Sequence, residues 1–333
     1  MYEWLNALSR GDFDRQQLLA ALGARGPAQE ALFGLARSLR DQNFPHRSVE
    51  TRSVVEISNF CSRGCLYCAI GCLPQSEHFT LTPDEFVEIV GLLHARGRKH
   101  ILLQSGENNS EEWVENVGVS VEKALQVYPD LDFIINLGVL TPTQCLRLRR
   151  AGISRAILKF ETSNARLYAD MKPGDQLDVR LQAIRDLVAA GFGTGSGNIV
   201  GLPGQTLDDL AGDLTLLHTL PLTMASSTVF IPGRGSALQD ASAGELHTTL
   251  NYMALMRIMN PKVLIPTTSS LEKAGPGGQL LGLMAGANTV TIHDGTPREL
   301  KEKYPIYSKD RFMPSEEHIR RIVLDAGLVM EEF

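Results

Sequence analysis

Between residues 50 and 307 one unit recurs eight times: a short β-branched or aliphatic run, a polar or glycine-bearing turn, then an amphipathic helical stretch. The strand candidates are 54–58, 100–104, 131–136, 155–160, 193–200, 224–231, 263–267 and 289–292. Helical stretches lie between them, at 82–95, 110–127, 141–151, 177–190, 206–217, 243–259, 278–285 and 296–303. Strict strand-then-helix alternation forces parallel strands, because each return crossing is taken up by the helix. Eight such units match the usual size of a closed (β/α)8 barrel, roughly 250 residues, with a doubly wound open sheet as the rival α/β architecture. Local chemistry agrees with the units. Thr82, Pro83 and Glu85 form a helix start with a capping box, and Gly97, Gly152 and Gly191 follow helices where a left-handed stop is needed.

Flanking segments extend this core. Residues 1–50 read as a helical extension, with Leu18, Leu22, Leu32, Leu35 and Leu39 interleaved with charges, residues 51–307 as the barrel, and residues 308–333 as a helical tail. The 43% hydrophobic content supplies a large core and excludes a disordered chain, and the net charge of -6 opposes nucleic-acid binding. No apolar run approaches the roughly 20 residues that cross a bilayer. Without a basic stretch and apolar signal core at its start, the chain is expected in the cytoplasm, as a monomer or weak dimer.

Four of the five cysteines, Cys61, Cys65, Cys68 and Cys72, crowd directly behind the first strand, and Cys145 stands apart. In a barrel the loops after the strands build the active site. In a reducing compartment such crowding points to metal or redox chemistry rather than to structural bridges. Cys61-x3-Cys65-x2-Cys68 provides three thiolates, one fewer than an iron-sulfur cubane normally takes, which leaves one iron open to an outside ligand. A structural zinc site is the alternative, with Cys72 as fourth ligand, although such sites usually pair two Cys-x2-Cys knuckles across a longer span.

This spacing, with Tyr67 before the last cysteine, resembles the signature of the radical S-adenosylmethionine (SAM) superfamily. The resemblance implies a barrel and a 4Fe-4S cluster on Cys61, Cys65 and Cys68. It also implies SAM on the open iron, and reductive cleavage to methionine and a 5'-deoxyadenosyl radical. An electron donor such as flavodoxin or ferredoxin, a small-molecule substrate and oxygen sensitivity follow with it. Ser105-Gly106-Glu107 is similar to the family segment that contacts the methionyl amine. Glu161 and Arg180 stand where the family binds polar parts of SAM, the arginine on the carboxylate, and are the residues expected to act in catalysis. Asn198, Val200 and Gly201 fall in the motif beside adenine. The wording of Leu103 to Glu107, Glu161 to Asn164, Val200 to Thr206 and Ile265 to Thr268 resembles most the branch of HydE maturases of FeFe-hydrogenase. The methylornithine synthases (PylB) and biotin synthases share that barrel.

Candidate substrate contacts are Thr267, Thr268, Ser269 and Ser270 after the seventh strand and Asp294 after the eighth. Tyr304 and Tyr307 lie where the resembling maturases place a tyrosine over their cavity, and His293 reads as a satisfied rim histidine. Taken alone, Glu107 and Glu161 at strand ends suit an ammonium or a ribose hydroxyl, and Arg180 a carboxylate. The tail has no cysteines, unlike many of the resembling maturases, and sulfur insertion would have only Cys72 and Cys145 for auxiliary ligands unless a partner subunit supplied more. The expectation is therefore a radical enzyme acting on a small amino-acid-derived or thiol-containing substrate. HydE-like cofactor maturation is favoured over a PylB-like mutase or a biotin- or lipoyl-type sulfur insertion, with a zinc-binding module as the non-enzymatic alternative.

Overall fold

A computed structural model describes residues 2–44, 46–305 and 312–331. Tyr307 and the segment Lys309 to Arg311 lie outside them. Eight parallel strands form the barrel: β1 (Ser48–Ser58), β2 (His100–Ser105), β3 (Asp132–Asn136), β4 (Arg155–Ile157), β5 (Gly193–Val200), β6 (Met224–Val229), β7 (Pro266–Thr267) and β8 (Thr289–Ile292). Their order is β6-β5-β4-β3-β2-β1-β8-β7. Pairing of β1 with β8, and a single parallel bridge between Met224 and Leu264, bring the sheet round on itself. A (β/α)8 barrel results, and the open-sheet rival is excluded.

Several elements differ from the sequence expectation for identifiable reasons. β1 starts at Ser48 because a ninth strand, β9 (Val329–Met330), pairs with Ser48 and Val49. The tail is thus a helix, Glu316–Asp325, followed by a strand that was not foreseen. β7 is short because Pro266 has no N–H to give the ladder, and the Ile265 N–H donates instead to the Asn288 side chain at 2.8 Å. Regular pairing in β4 ends at Ile157, although the chain continues beside β5, with the Leu158 N–H donating to Gly195 O at 2.9 Å.

The helices Arg15–Leu22 and Pro27–Asn43 lie on the outer helices Leu207–Thr219 and Leu246–Met259. Leu18, Leu22, Leu32 and Phe33 share one hydrophobic cluster with the barrel exterior, and Ile319 and Val323 of the tail join it. Inside the barrel a separate layer of Val54, Leu102, Ile134 and Met224 is packed by Ile157 and Leu264. Toward the N-terminal ends of the strands, Glu50 pairs with Arg52 at 2.5 Å and Arg155 at 2.8 Å, and Asp132 with His100 at 2.7 Å. This charged floor and apolar layer leave the C-terminal ends of the strands as the open end, where barrel enzymes place their chemistry.

Candidate active site

A cavity of about 340 Å³ occupies that open end. It is lined by the last inward-facing residues of successive strands, among them Gln104, Asn136, Lys159, Ile199, Ser226 and Thr228. Tyr67 and Cys68 cover it from the loop after β1, and Glu161, Thr268, Ser269, Ser270 and His293 close its rim.

The cysteine loop is held by backbone contacts from three directions. The Cys68 N–H donates to Cys65 O at 3.2 Å, the Leu66 N–H to Met171 O at 3.0 Å, and the Gly233 N–H to Tyr67 O at 3.0 Å. At its start, the Ser62 N–H donates to Glu107 O at 2.9 Å, and the Glu107 N–H donates to Cys61 Sγ at 3.4 Å. Gly106 makes this approach feasible, since a Cβ there would stand 2.2 Å from Phe60 O and 2.7 Å from Cys61 Cβ. A Gly106→Ala substitution therefore pushes the cysteine loop off β2. We expect the purified variant to carry less than half the iron of the parent after anaerobic reconstitution, measured as iron and sulfide per chain.

Burial pushes the Cys68 thiol up to about 12 and also raises Cys65, and a coordinated metal would deprotonate such thiols outright. Cys72 is exposed, its Sγ 3.6 Å from Cys68 O, and Cys145 is buried in the outer layer. Among the described residues no three His, Cys, Asp or Glu side chains are gathered to hold a single metal ion.

Beside the loop lies a buried charge cluster. Glu107 accepts from Arg63 at 2.7 Å and from Arg180 at 3.1 Å. Asp175 pairs with Arg63 at 3.1 Å and Lys172 at 3.2 Å. Glu161 pairs with Lys159 at 3.1 Å and stands 3.9 Å from Arg180. Four cations thus face three carboxylates, and the surplus positive charge suits anionic sulfurs and a ligand carboxylate. Burial raises the Glu107 carboxyl, but Arg180, Lys172 and Arg63 outweigh it and hold the group below the usual carboxylate range. Arg180 also donates through Nε to Lys159 O at 2.5 Å, so its Nη2 is the arm with only a long contact. The buried Glu161 Oε2 has no aligned hydrogen-bond donor among the described residues, its contact to Lys159 being an ion pair. An acceptor so placed at a cavity rim fits an ammonium or hydroxyl donor of SAM, and three thiols on one loop are the donor chemistry that iron-sulfur clusters take.

Other expected contacts are placed differently. Asn198 and Val200 sit on the outward face of β5: Asn198 Nδ2 donates to Asp213 at 2.9 Å, and Val200 packs in the outer core. Strand parity is the reason, since Ile199 between them faces the cavity. Gly201, at φ +93°, makes the turn after β5 and passes Gly244 so closely that a Cβ would lie 2.3 Å from its Cα. Ser105 donates to Gly106 O at 2.6 Å. Thr267 faces the outer helix, donating to Gln279 O at 2.7 Å, whereas Thr268, Ser269 and Ser270 line the cavity. Asp294 is turned outward to Arg98 at 2.9 Å, and Tyr304 is buried without lining the cavity. Arg63, Asp175 and Lys172 were not foreseen, and neither were Asn136 and the deep Arg52.

Residues 55–217 match the family model described as the Radical SAM superfamily. The chain is 33% identical over 307 residues to the [FeFe] hydrogenase maturase subunit HydE of Thermotoga maritima, covering 92% of this chain and 87% of that protein. It is 28% identical to 3-methylornithine synthase of Methanosarcina barkeri, covering 84% of this chain and 78% of that one. The crystal structure of methylornithine synthase (PylB) superposes with a TM-score of 0.85 at 25% identity, covering 99% and 98% of the two chains.

Proposed function

The chain belongs to the radical SAM superfamily, and from that premise we propose that it directs a 5'-deoxyadenosyl radical onto a small amino-acid-derived or thiol-containing substrate in HydE-like cofactor maturation. Cys61, Cys65 and Cys68 hold the 4Fe-4S cluster in this reading. Bound there, a reduced cluster would supply the electron for reductive cleavage of SAM to methionine and the radical. The chain's own residues bind and orient. Glu107 fixes Arg63 and Arg180 beside the cysteine loop, Glu161 and the Arg180 Nη2 take the polar ends of SAM, and Tyr67 covers the nucleotide side of the cavity. Thr268, Ser269 and Ser270 offer hydroxyls to the substrate, and the apolar layer below excludes water from a reactive carbon radical.

The observation carrying this reading is that Tyr67 and Cys68 line the same cavity as Lys159, Glu161 and Thr268 to Ser270, so that a proposed cluster ligand and the candidate substrate hydroxyls border one cavity. The likeness to HydE over 92% of the chain supports the choice within the superfamily. A second reading, carbon-skeleton rearrangement of an amino acid, is favoured by the superposition on PylB. Sulfur insertion finds less support, since the remaining thiols, exposed Cys72 and buried Cys145, are not gathered for an auxiliary cluster.

The test is anaerobic. Reconstituted protein given dithionite and SAM should release 5'-deoxyadenosine. It should also replace HydE in an in vitro maturation of FeFe-hydrogenase, while leaving L-lysine, of which 3-methylornithine is a skeletal isomer, unconverted. Lysine conversion without hydrogenase activation would favour the second reading, and absence of 5'-deoxyadenosine with an intact cluster would sink both.

A further inference from the structure

Glu161 is held in a backbone conformation that a glutamate seldom adopts. Its φ is +68°, and the Thr162 N–H donates across it to Phe160 O at 2.9 Å. That closure is a γ-turn of the positive-φ kind, which is rare and strained. Such a residue persists only where its surroundings over-determine it. The question is what does so here.

One side is the backbone of β5, where the Glu161 N–H donates to Gly197 O at 3.0 Å and Glu161 O accepts from the Ile199 N–H at 2.9 Å. The other is a single carboxylate outside the barrel, Asp213, which is fully buried. Its Oδ1 accepts from the Ser163 N–H at 2.5 Å, Ser163 Oγ at 2.7 Å and Thr162 Oγ1 at 3.4 Å. Its Oδ2 accepts from Asn198 Nδ2 at 2.9 Å, and Asn198 Oδ1 accepts from Ser227 Oγ at 2.9 Å. Asp213 therefore ties the two residues after Glu161 to the strand residue lying between the two β5 backbone partners of Glu161.

The helix Leu207–Thr219 presents this group with matching neighbours. Asp209, Gly212 and Asp213 lie on one helical face by their spacing. Asp209 accepts from Asn164 Nδ2 at 2.8 Å, and a Cβ on Gly212 would come to 3.1 Å from Ser163 Oγ. Burial pushes the Asp213 carboxyl up to about 6, against the pull of its Ser163 and Asn198 donors.

We propose that Asp213 is a positioning residue for SAM binding, acting through the Thr162-Ser163 turn and Asn198 to hold Glu161 at the cavity rim. It does not touch the ligand. The inference rests on the reading of Glu161 as a SAM-binding group. It also accounts for Asn198, whose side chain serves the turn rather than the adenine.

Reconstituted holoenzyme is titrated with SAM, reading uncoupled 5'-deoxyadenosine release and the SAM-induced change in the EPR spectrum of the reduced cluster. Asp213→Asn should raise the KM for SAM about tenfold, equivalent to about 1.4 kcal/mol. Its kcat should stay within about twofold, since only binding geometry is lost. Asn198→Asp combined with Asp213→Asn exchanges the two ends of the same hydrogen bond and should return the KM to within about threefold of the parent. Ser163→Ala, which deletes one donor and keeps the buried charge, should raise the KM in the same direction if Asp213→Asn fails to fold. An unchanged KM in these single variants, or a double variant no better than Asp213→Asn, would overturn the positioning role. Glu161→Gln is measured alongside: a raised KM there with none at Asp213 refutes the positioning alone, whereas an unchanged KM at Glu161 removes both the role and its premise.

Discussion

Cys68→Ala should release no measurable 5'-deoxyadenosine and should bind little iron after anaerobic reconstitution, and Cys61→Ala and Cys65→Ala should behave alike. In the proposed reading each side chain supplies one of only three protein ligands, so none has a spare. Residues that merely support a ligand typically cost 10–100-fold when lost, and removal of the ligand itself should exceed about 100-fold. Two controls come from the same structure. Cys145 is buried among outer-layer apolar side chains and Cys72 is exposed to solvent. Alanine at either should leave iron content and SAM cleavage within about twofold of the parent, as expected for side chains away from the reacting groups. Loss of the metal in Cys72→Ala, with zinc rather than iron in the parent, would instead restore the four-thiolate reading.

The second large effect is expected at Arg180. It is buried between Glu107 and Glu161 and tied to Lys159 O. Arg180→Met keeps most of the volume but leaves two buried carboxylates with one cation fewer. Breaking a buried pair on one side costs about 3–5 kcal/mol. Because Glu107 keeps Arg63 and Glu161 keeps Lys159, about 3 kcal/mol in a denaturant titration is the expected loss, at the low end of that range. The KM for SAM should rise by at least about tenfold as the guanidinium fork is lost. The pH dependence has a definite sign. A carboxyl held below its ordinary range adds stability above its unfolded value and loses it as the pH falls through the folded one. Removing Arg180 lets the Glu107 carboxyl rise, so the acid limb of the stability curve should move to higher pH than in the parent. An acid limb that stays in place would show that Arg63 and Lys172 suffice to hold Glu107.

The parts of this site that could be read from the chain alone were those written in consecutive residues. Cys61, Cys65 and Cys68 are a spacing, and the barrel is a repeated alternation, so both survive without tertiary knowledge. Glu107, Glu161 and Arg180 were legible through resemblance, because an isolated glutamate or arginine says little. Parity was the step that failed. Counting inward positions from Ile157 and Lys159, or from Gly197 to Ile199, selects Ile199 and leaves Asn198 and Val200 outside. The same count applied to β2 and β3 would have selected Gln104 and Asn136. Thr267 and Asp294 were misplaced because a residue after a strand can turn toward the helices as readily as toward the mouth. Arg63, Lys172 and Asp175 meet from separate loops, and no local pattern records that meeting. β9 escaped notice because two residues pairing with the start of β1 carry no period.

The left-handed turn at Glu161 bears on how such a protein drifts over generations. Selection for thermostability alone would pull this position toward glycine, which relaxes the dihedral at once. If Glu161 serves SAM as proposed, a charged side chain at this dihedral answers to a ligand and not to the fold, and leaves the enzyme somewhat short of the most heat-resistant version of itself.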